Sequence, residues 1–233
     1  MKASRLKQTL QYQMNYFGWS SLYVYGISVA AIIVLNLFIY INVNDANVFT
    51  GIGGVGFVHL LILGIGIRGD LMFFVQHGIS RRTTFVSNLL GSLICSAALG
   101  LFCLIFNHIS STLLNFTESS FSSAREFFEG WGRYITAFFF AWQIGTLISL
   151  IFYRLRQMGK VLFSVLSIAA VMILPFGSIR YVIGFPDDFG DIIQQVAEGS
   201  FNILSPIFLV VLILGTFAAA GNYLLLRRAP IKE

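Results

Sequence analysis

Charged residues are scarce in this sequence, and the shortage decides its class. The 233 residues include 15 lysines and arginines and 10 aspartates and glutamates, so 11% of the chain is charged, against about 25% in a soluble domain. Hydrophobic residues make up 57% of the chain, which excludes a soluble single-core domain and a disordered chain. Two cysteines are too few for a disulfide-stapled fold. The composition therefore predicts an all-α membrane protein.

The sequence also lacks the motifs of common catalytic sites. It contains no GxxxxGK(S/T) phosphate loop, no HExxH zinc motif and no GxSxG nucleophile motif. We therefore predict no catalytic residue, no metal site and no cofactor held by this chain. Residues 51–56 match GxGxxG, but they lie in an apolar run, where small residues allow close helix packing. Cys95 and Cys103 are predicted to be membrane-packed residues rather than ligands or a disulfide.

Six apolar runs contain no charged residue, and each is long enough to approach the ~20 residues of a spanning helix. They predict six transmembrane helices in a single transmembrane domain over residues 1–233. The runs are Trp19–Ile41, Phe49–Ile67, Phe85–Phe106, Tyr134–Tyr153, Val161–Ile179 and Phe201–Leu226.

The charges between these runs alternate in sign along the chain. The amino terminus, the second and fourth connections and the carboxyl tail together hold 12 basic and 2 acidic residues. The other connections hold 3 basic and 8 acidic residues. Because basic residues stay cytoplasmic during insertion, both termini are predicted to be cytoplasmic. This topology accounts for the pI of 9.4 without a nucleic-acid partner.

Three segments are predicted to lie outside the spans on one side or the other. Residues 1–18 are predicted to form an amphipathic interfacial helix with Leu6, Leu10, Met14 and Phe17 on its apolar face. Residues 109–133 and 180–200 are predicted to be extracellular, and the aromatic part of the first of these is predicted to be a short interfacial helix.

A few polar residues interrupt the apolar runs. Asn36, His59, Gln143 and Asn222 are candidates for a substrate path. Hydrogen bonding between helices is the simpler interpretation of these residues. No acidic residue lies in any run, which argues against an ion-coupled carrier, although His59 would be its single ionisable candidate.

Residues 68–84, between the second and third runs, form a short cytoplasmic connection with an unusual pattern. Leu71–His77 can form two helical turns, and Gly78 suits the end of a helix because glycine tolerates the left-handed conformation. Ser80 can cap the next helix. The short helix is predicted to run across the membrane surface. Its apolar residues favour either the membrane interface or a groove on another protein.

This connection resembles the first cytoplasmic loop of ABC-2-type transporter permeases. The resemblance rests on Arg-x-Asp at residues 68–70, an apolar turn, and Gln-His-Gly-Ile-Ser-Arg-Arg-Thr-Thr-Phe at residues 76–85. The ending at residues 223–232 is similar to the carboxyl termini of that family. The resemblance implies that the loop is a coupling helix for a separate ATPase. The implied coupling residues are Asp70, Leu71, Phe73, Phe74, Gly78, Ser80 and Arg81.

The resemblance further implies a cytoplasmic ABC ATPase subunit that holds ATP and magnesium, and a second permease copy, identical or paralogous. The expected function is export of an amphipathic or hydrophobic substrate, such as a peptide, drug or lipid, across a bacterial cytoplasmic membrane. Membrane lipid is the remaining expected partner. Two other functions stay open: an immunity or sensor protein that binds antimicrobial peptides, and an ion-coupled carrier.

Overall fold

The computed structural model describes residues 2–42, 52–114, 124–155 and 206–227, and all regular structure in these ranges is helical. The all-α prediction is confirmed for this part of the chain. The fifth apolar run and the outer segment 180–200 lie outside the described residues. The helices are α1 Lys2–Asn42, α2 Ile52–Ile65, α3 Ile67–Gln76, α4 Arg81–Leu114, α5 Ala124–Arg154 and α6 Pro206–Arg227.

Three of the described helices are long and apolar enough to cross a membrane. The qualifying stretches are Arg81–Ile109 of α4, Ala124–Arg154 of α5 and Leu209–Arg227 of α6. A fourth candidate appears if α2 and α3, which are bent by 40° relative to each other, are counted as one broken span. The protein is therefore a helical membrane protein, and six spans remain a prediction from the sequence.

The amino-terminal segment is helical and continues into the first apolar run. Helix α1 runs without a break from Lys2 through Gly18. Its inner face packs against α4, where Ser87 Oγ donates a 2.8 Å hydrogen bond to Gln13 Oε1. Phe17 is buried in the same core. The apolar face that was expected to meet lipid is thus covered in part by the protein itself.

The described part of the outer segment 109–133 belongs to two long helices. Residues 109–114 complete α4, and residues 124–133 are the first turns of α5 rather than a helix of their own. The indole Nε1 of Trp131 donates a 2.9 Å hydrogen bond to the carbonyl oxygen of Ala97 in α4. This bond, together with burial of Gly130, ties the start of α5 to α4.

Helices α2 and α5 cross in close contact. A Cβ atom added at Gly64 would collide with the carbonyl oxygen of Trp142, and one at Gly145 would collide with that of Leu61. At Gly56 the nearest atoms would be the Phe138 ring and the Tyr25 hydroxyl, both 2.6 Å away. The prediction that small residues in this run serve close helix packing is confirmed at Gly56.

The helices bring basic residues from four segments of the sequence to one end of the bundle, here called the basic end. Arg5 of α1 donates a 2.8 Å hydrogen bond to the carbonyl oxygen of Gly78. Arg81 donates one of 2.9 Å to the carbonyl oxygen of Arg227. Arg154, at the end of α5, donates one of 2.8 Å to the carbonyl oxygen of Leu225. These three hydrogen bonds thus join different helices at the basic end.

Candidate functional site

The candidate site is α3 and the turn that follows it, at the basic end. Gly78 adopts a left-handed backbone with φ of 71°, as its position after the helix predicted. The backbone N–H of Thr83 donates a 3.2 Å hydrogen bond to Ser80 Oγ. The predicted glycine stop and serine cap are therefore both present.

Helix α3 follows α2 after a bend of 40°. The bend has a local cause, since Gly66 separates the two helices and its N–H bonds to the carbonyls of both Ile62 and Leu63. Helix α3 therefore lies at an angle to α2, and its orientation across the membrane surface stays a prediction.

Two of the expected coupling residues face inward. Leu71 is 5% exposed and packs with Leu150 of α5 and Leu226 of α6. Phe74 is 1% exposed, and its ring meets that of Tyr12 edge to face at 5.6 Å. Neither side chain is available to another protein in this conformation. Their role in the structure is to fix α3 to three other helices.

The exposed residues of α3 and its turn form a narrower surface, here called the docking face: Phe73, Gln76, His77 and Gly78. Phe73 is 42% exposed, and its ring stacks on Tyr12 at 5.4 Å with an interplanar angle of 18°. His77 Nδ1 donates a 2.7 Å hydrogen bond to the carbonyl oxygen of Phe73. The docking face thus contains one aromatic ring among polar residues and a glycine, and Phe73 and His77 are held in place by these contacts.

Asp70, Ser80 and Arg81 are placed around the docking face rather than in its centre. Asp70 is half-buried and lines a cavity of about 270 Å³ together with Tyr12, Gln13 and other residues of α1, α2 and α5. Ser80 is exposed, but its hydroxyl oxygen accepts the hydrogen bond that caps α4. Arg81 is turned toward the end of α6. These three residues therefore stabilise the surroundings of the turn and are not part of the docking face.

Of the candidates for a substrate path, the structure brings Gln143 and Asn222 together. Asn222 Nδ2 donates to the backbone carbonyl oxygen and to Oε1 of Gln143, both at 3.0 Å. Gln143 Nε2 donates a 3.1 Å bond to Ser92 Oγ. Both side chains have no exposed surface. In this conformation they join α4, α5 and α6, as the simpler interpretation predicted.

The other two candidates are apart from this cluster or outside the description. His59 of α2 is buried, and its Nε2 lies 3.3 Å from Ser21 Oγ of α1. The side chain of Asn36 lies outside the described residues. His59 thus has its own hydrogen-bonding neighbour, apart from the cluster of Gln143 and Asn222.

Two residues that the sequence did not single out are part of the site. Tyr12 covers Phe73 and Phe74, and Arg5 binds the carbonyl of Gly78. These two positions are seven residues apart, which places them on one face of α1, two turns from each other. This spacing could have shown that Arg5 and Tyr12 share a helix face. The helix prediction, however, was based only on the apolar residues of the segment.

The described part of the chain contains no group of three or more metal-ligating side chains. Comparison with protein families, with characterised proteins and with solved structures finds no match for this chain. The resemblance of residues 68–85 to a permease loop therefore rests on that short stretch of sequence and on the similar carboxyl ending.

Proposed function

We propose that this chain is the transmembrane permease subunit of an ATP-driven exporter of the ABC-2 type. In this proposal it has six spans, both termini in the cytoplasm, and a bacterial cytoplasmic membrane as its location. Its cargo is amphipathic or hydrophobic, in keeping with a chain that offers mostly apolar side chains. A second permease copy and two ATPase subunits complete the transporter.

The observation that carries the proposal is the docking face. It carries an exposed aromatic ring at the basic end of the bundle, and a groove on another protein is one way to cover such a ring. Leu71, Val75 and Phe74 of α3 already pack against residues of other helices. Phe73 is therefore the residue that a partner would contact first.

The contacts behind the docking face suggest how force would reach the spans. Leu71 touches residues of both α5 and α6, and Tyr12 links the aromatic pair of α3 to α1. A displacement of α3 as a rigid unit would therefore act on three long helices at once. Because the sequence has no phosphate loop, the energy for that displacement has to come from a nucleotide-hydrolysing partner.

The proposal is tested by replacing Phe73→Asp in a tagged full-length chain expressed in its native membrane. We expect an ATPase subunit with a phosphate loop to co-purify with the wild-type chain and to be lost with F73D, because a buried charge is not tolerated in an apolar groove. Membrane insertion should persist, since Phe73 is already partly exposed. Subunit identification and the ATPase activity of the purified complex are the measurements.

The matched control is Gln11→Asp, which adds the same charge at an exposed position of α1. It should leave the ATPase attached. Capture of the ATPase by both variants would contradict docking at α3. If no ATPase is captured by any chain, gradient-driven transport that is lost on changing His59 would instead favour the carrier, and specific peptide binding would favour the immunity protein.

A further inference from the structure

A second site lies at the basic end, between the start of α4 and the end of α6. It is a cavity of about 400 Å³. Its described lining combines three arginines with a serine, a tyrosine and a leucine: Ser80, Arg81, Arg82, Tyr223, Leu226 and Arg227. No described carboxylate lines it. The cavity therefore gathers three positive charges without a compensating carboxylate among the described residues.

The three arginines are not equally engaged. Arg81 uses Nη1 to bind the carbonyl oxygen of Arg227 and so has a structural task. Arg82 and Arg227 are exposed. Charges of the same sign repel one another in a shared cavity, and an anion bound between them would relieve that repulsion. Guanidinium groups bind phosphate oxygens in particular, because their planar N–H donors match that geometry.

Two apolar stripes lead away from these exposed arginines along the helices. On α4, Arg82 is followed on the same face by Val86, Leu90 and Ile94, all exposed and spaced four residues apart. On α6, the face that ends at Arg227 carries exposed Leu224, Phe217 and Ile213. Each stripe follows helical periodicity. An exposed arginine thus stands at the same end of each of two exposed apolar stripes.

We propose that this cavity binds an anionic phospholipid, with its phosphate on Arg82 and Arg227 and its acyl chains along the two stripes. A basic pocket between membrane helices suits such a headgroup. Charges that only set topology do not need to share one cavity or to continue into apolar stripes, and these do both. The proposal does not depend on an ATPase partner.

The test uses the full-length chain purified in detergent, titrated with phosphatidylglycerol or with phosphatidylcholine of the same acyl chains, with bound lipid counted by native mass spectrometry. We expect phosphatidylglycerol to bind more tightly. Arg82→Gln and Arg227→Gln should each weaken its binding about fivefold, in line with the contribution of one basic residue near an anionic lipid. Circular dichroism and size-exclusion chromatography confirm that each variant is folded.

Lys7→Gln is the matched control, because Lys7 is an exposed basic residue of α1 that does not line the cavity. It should bind phosphatidylglycerol like the wild type. Equal weakening by K7Q would reduce the effect to general charge attraction and overturn the proposal. Equal affinity for the two lipids would overturn it as well.

Two further probes separate a lipid from a free anion. Glycerophosphoglycerol has the headgroup without acyl chains, and inorganic phosphate has the anion alone. Both should compete poorly with phosphatidylglycerol, since neither contacts the apolar stripes. Competition by either at the concentration of the lipid would show a simple phosphate site and contradict a lipid-binding role. If R82Q does not fold, R227Q alone measures the loss of lipid binding. Arg82→Lys, which keeps the charge, is then the variant used at position 82.

Discussion

Two adjacent phenylalanines of α3 have opposite environments. Phe74 is 1% exposed against Tyr12, whereas Phe73 is 42% exposed and covers the outer side of the same tyrosine. The difference follows from helix geometry, because neighbouring residues are turned by about 100° from each other. A charge at Phe74 would therefore disturb folding, and only a charge at Phe73 tests binding to a partner.

The first prediction concerns Gly78, whose φ of 71° is unfavourable for other residues. Gly78→Ala should destabilise the turn by about 1–2 kcal/mol, because a Cβ atom is strained in the left-handed conformation. The space around Gly78 is open, so no collision contributes. The midpoint of thermal unfolding in detergent is the measurement.

The control for this prediction is Gly69→Ala in α3, where a Cβ atom would also meet open space. Gly69 has no positive φ and lies within a helix, where alanine is favoured over glycine. G69A should therefore be neutral or stabilising. Equal losses in G78A and G69A would show that backbone strain is not the cause.

The sequence predicted these residue-level features unevenly. The ends of α3 were predictable, because a glycine stop and a serine cap act through their own backbone and nearest neighbours. The burial of Leu71 was not predictable, since it depends on Leu150 and Leu226, which are distant in the chain. The ends of a helix can be predicted from a short stretch of sequence, but tertiary packing decides which of its faces is buried.

At the scale of elements, the contact between α2 and α5 depends on glycines that face the opposite backbone. Gly64→Ala should cost about 1–3 kcal/mol, because the added methyl group forces the two helices apart. The reason is the carbonyl oxygen of Trp142, which occupies the space that the methyl group would need. Equilibrium unfolding of the detergent-solubilised chain gives the free energy.

Gly54→Ala is the matched substitution on the same helix, with no atom within 4 Å of its added Cβ. It should leave the free energy of unfolding unchanged or raise it by up to about 1 kcal/mol, as expected for glycine to alanine in a helix. A loss in G54A as large as in G64A would contradict the close-crossing explanation.

The polar cluster is the second feature at this scale. Asn222→Ala should destabilise the bundle by about 1 kcal/mol, because it removes two hydrogen bonds to Gln143 that are each worth ~0.6 kcal/mol in a membrane protein. Thr216→Ala on the same helix is the control, since Thr216 is exposed and bonds only within α6. Equal effects of the two changes on thermal unfolding would rule out a special role for Asn222.

The apolar runs predicted the helices better than they predicted where the helices end. α4 continues to Leu114 and α5 begins at Ala124, both well beyond the uncharged runs. Polar and aromatic residues such as Asn107 and Trp131 extend these helices by bonding across to the neighbouring helix. A hydropathy pattern indicates which residues suit a lipid environment. It therefore does not predict the terminal helical turns that such hydrogen bonds stabilise.

At the scale of the whole molecule, the charge pattern of the sequence agrees with the positions of the helix ends in the structure. The four segments that the sequence placed on the cytoplasmic side supply Arg5, Arg81, Arg154 and Arg227, and the structure gathers all four at the basic end. A guanidinium at the end of a helix satisfies carbonyls that have no partner within the helix. The same residues thus can set topology and close the bundle.

Helix length makes the topology testable. Arg125 and Arg154 stand at opposite ends of α5, and their separation of about 44 Å along the axis exceeds the ~30 Å hydrocarbon core. If α5 spans, the two residues are on opposite sides of the membrane. The proposed orientation then places Arg125 outside, with Lys7 and Arg227 in the cytoplasm.

Single cysteines at Lys7, Arg125 and Arg227 test this orientation in intact cells. Cys95 and Cys103 are buried free thiols and are replaced by alanine to give a cysteine-free background. A membrane-impermeant maleimide should label only the Arg125→Cys variant, because the Arg125 side chain is 80% exposed at the outer end of α5. All three variants should be labelled after permeabilisation, which shows that each thiol is accessible. Labelling of K7C or R227C from outside would contradict cytoplasmic termini, and the docking face would then be out of reach of any ATPase that uses cytoplasmic ATP.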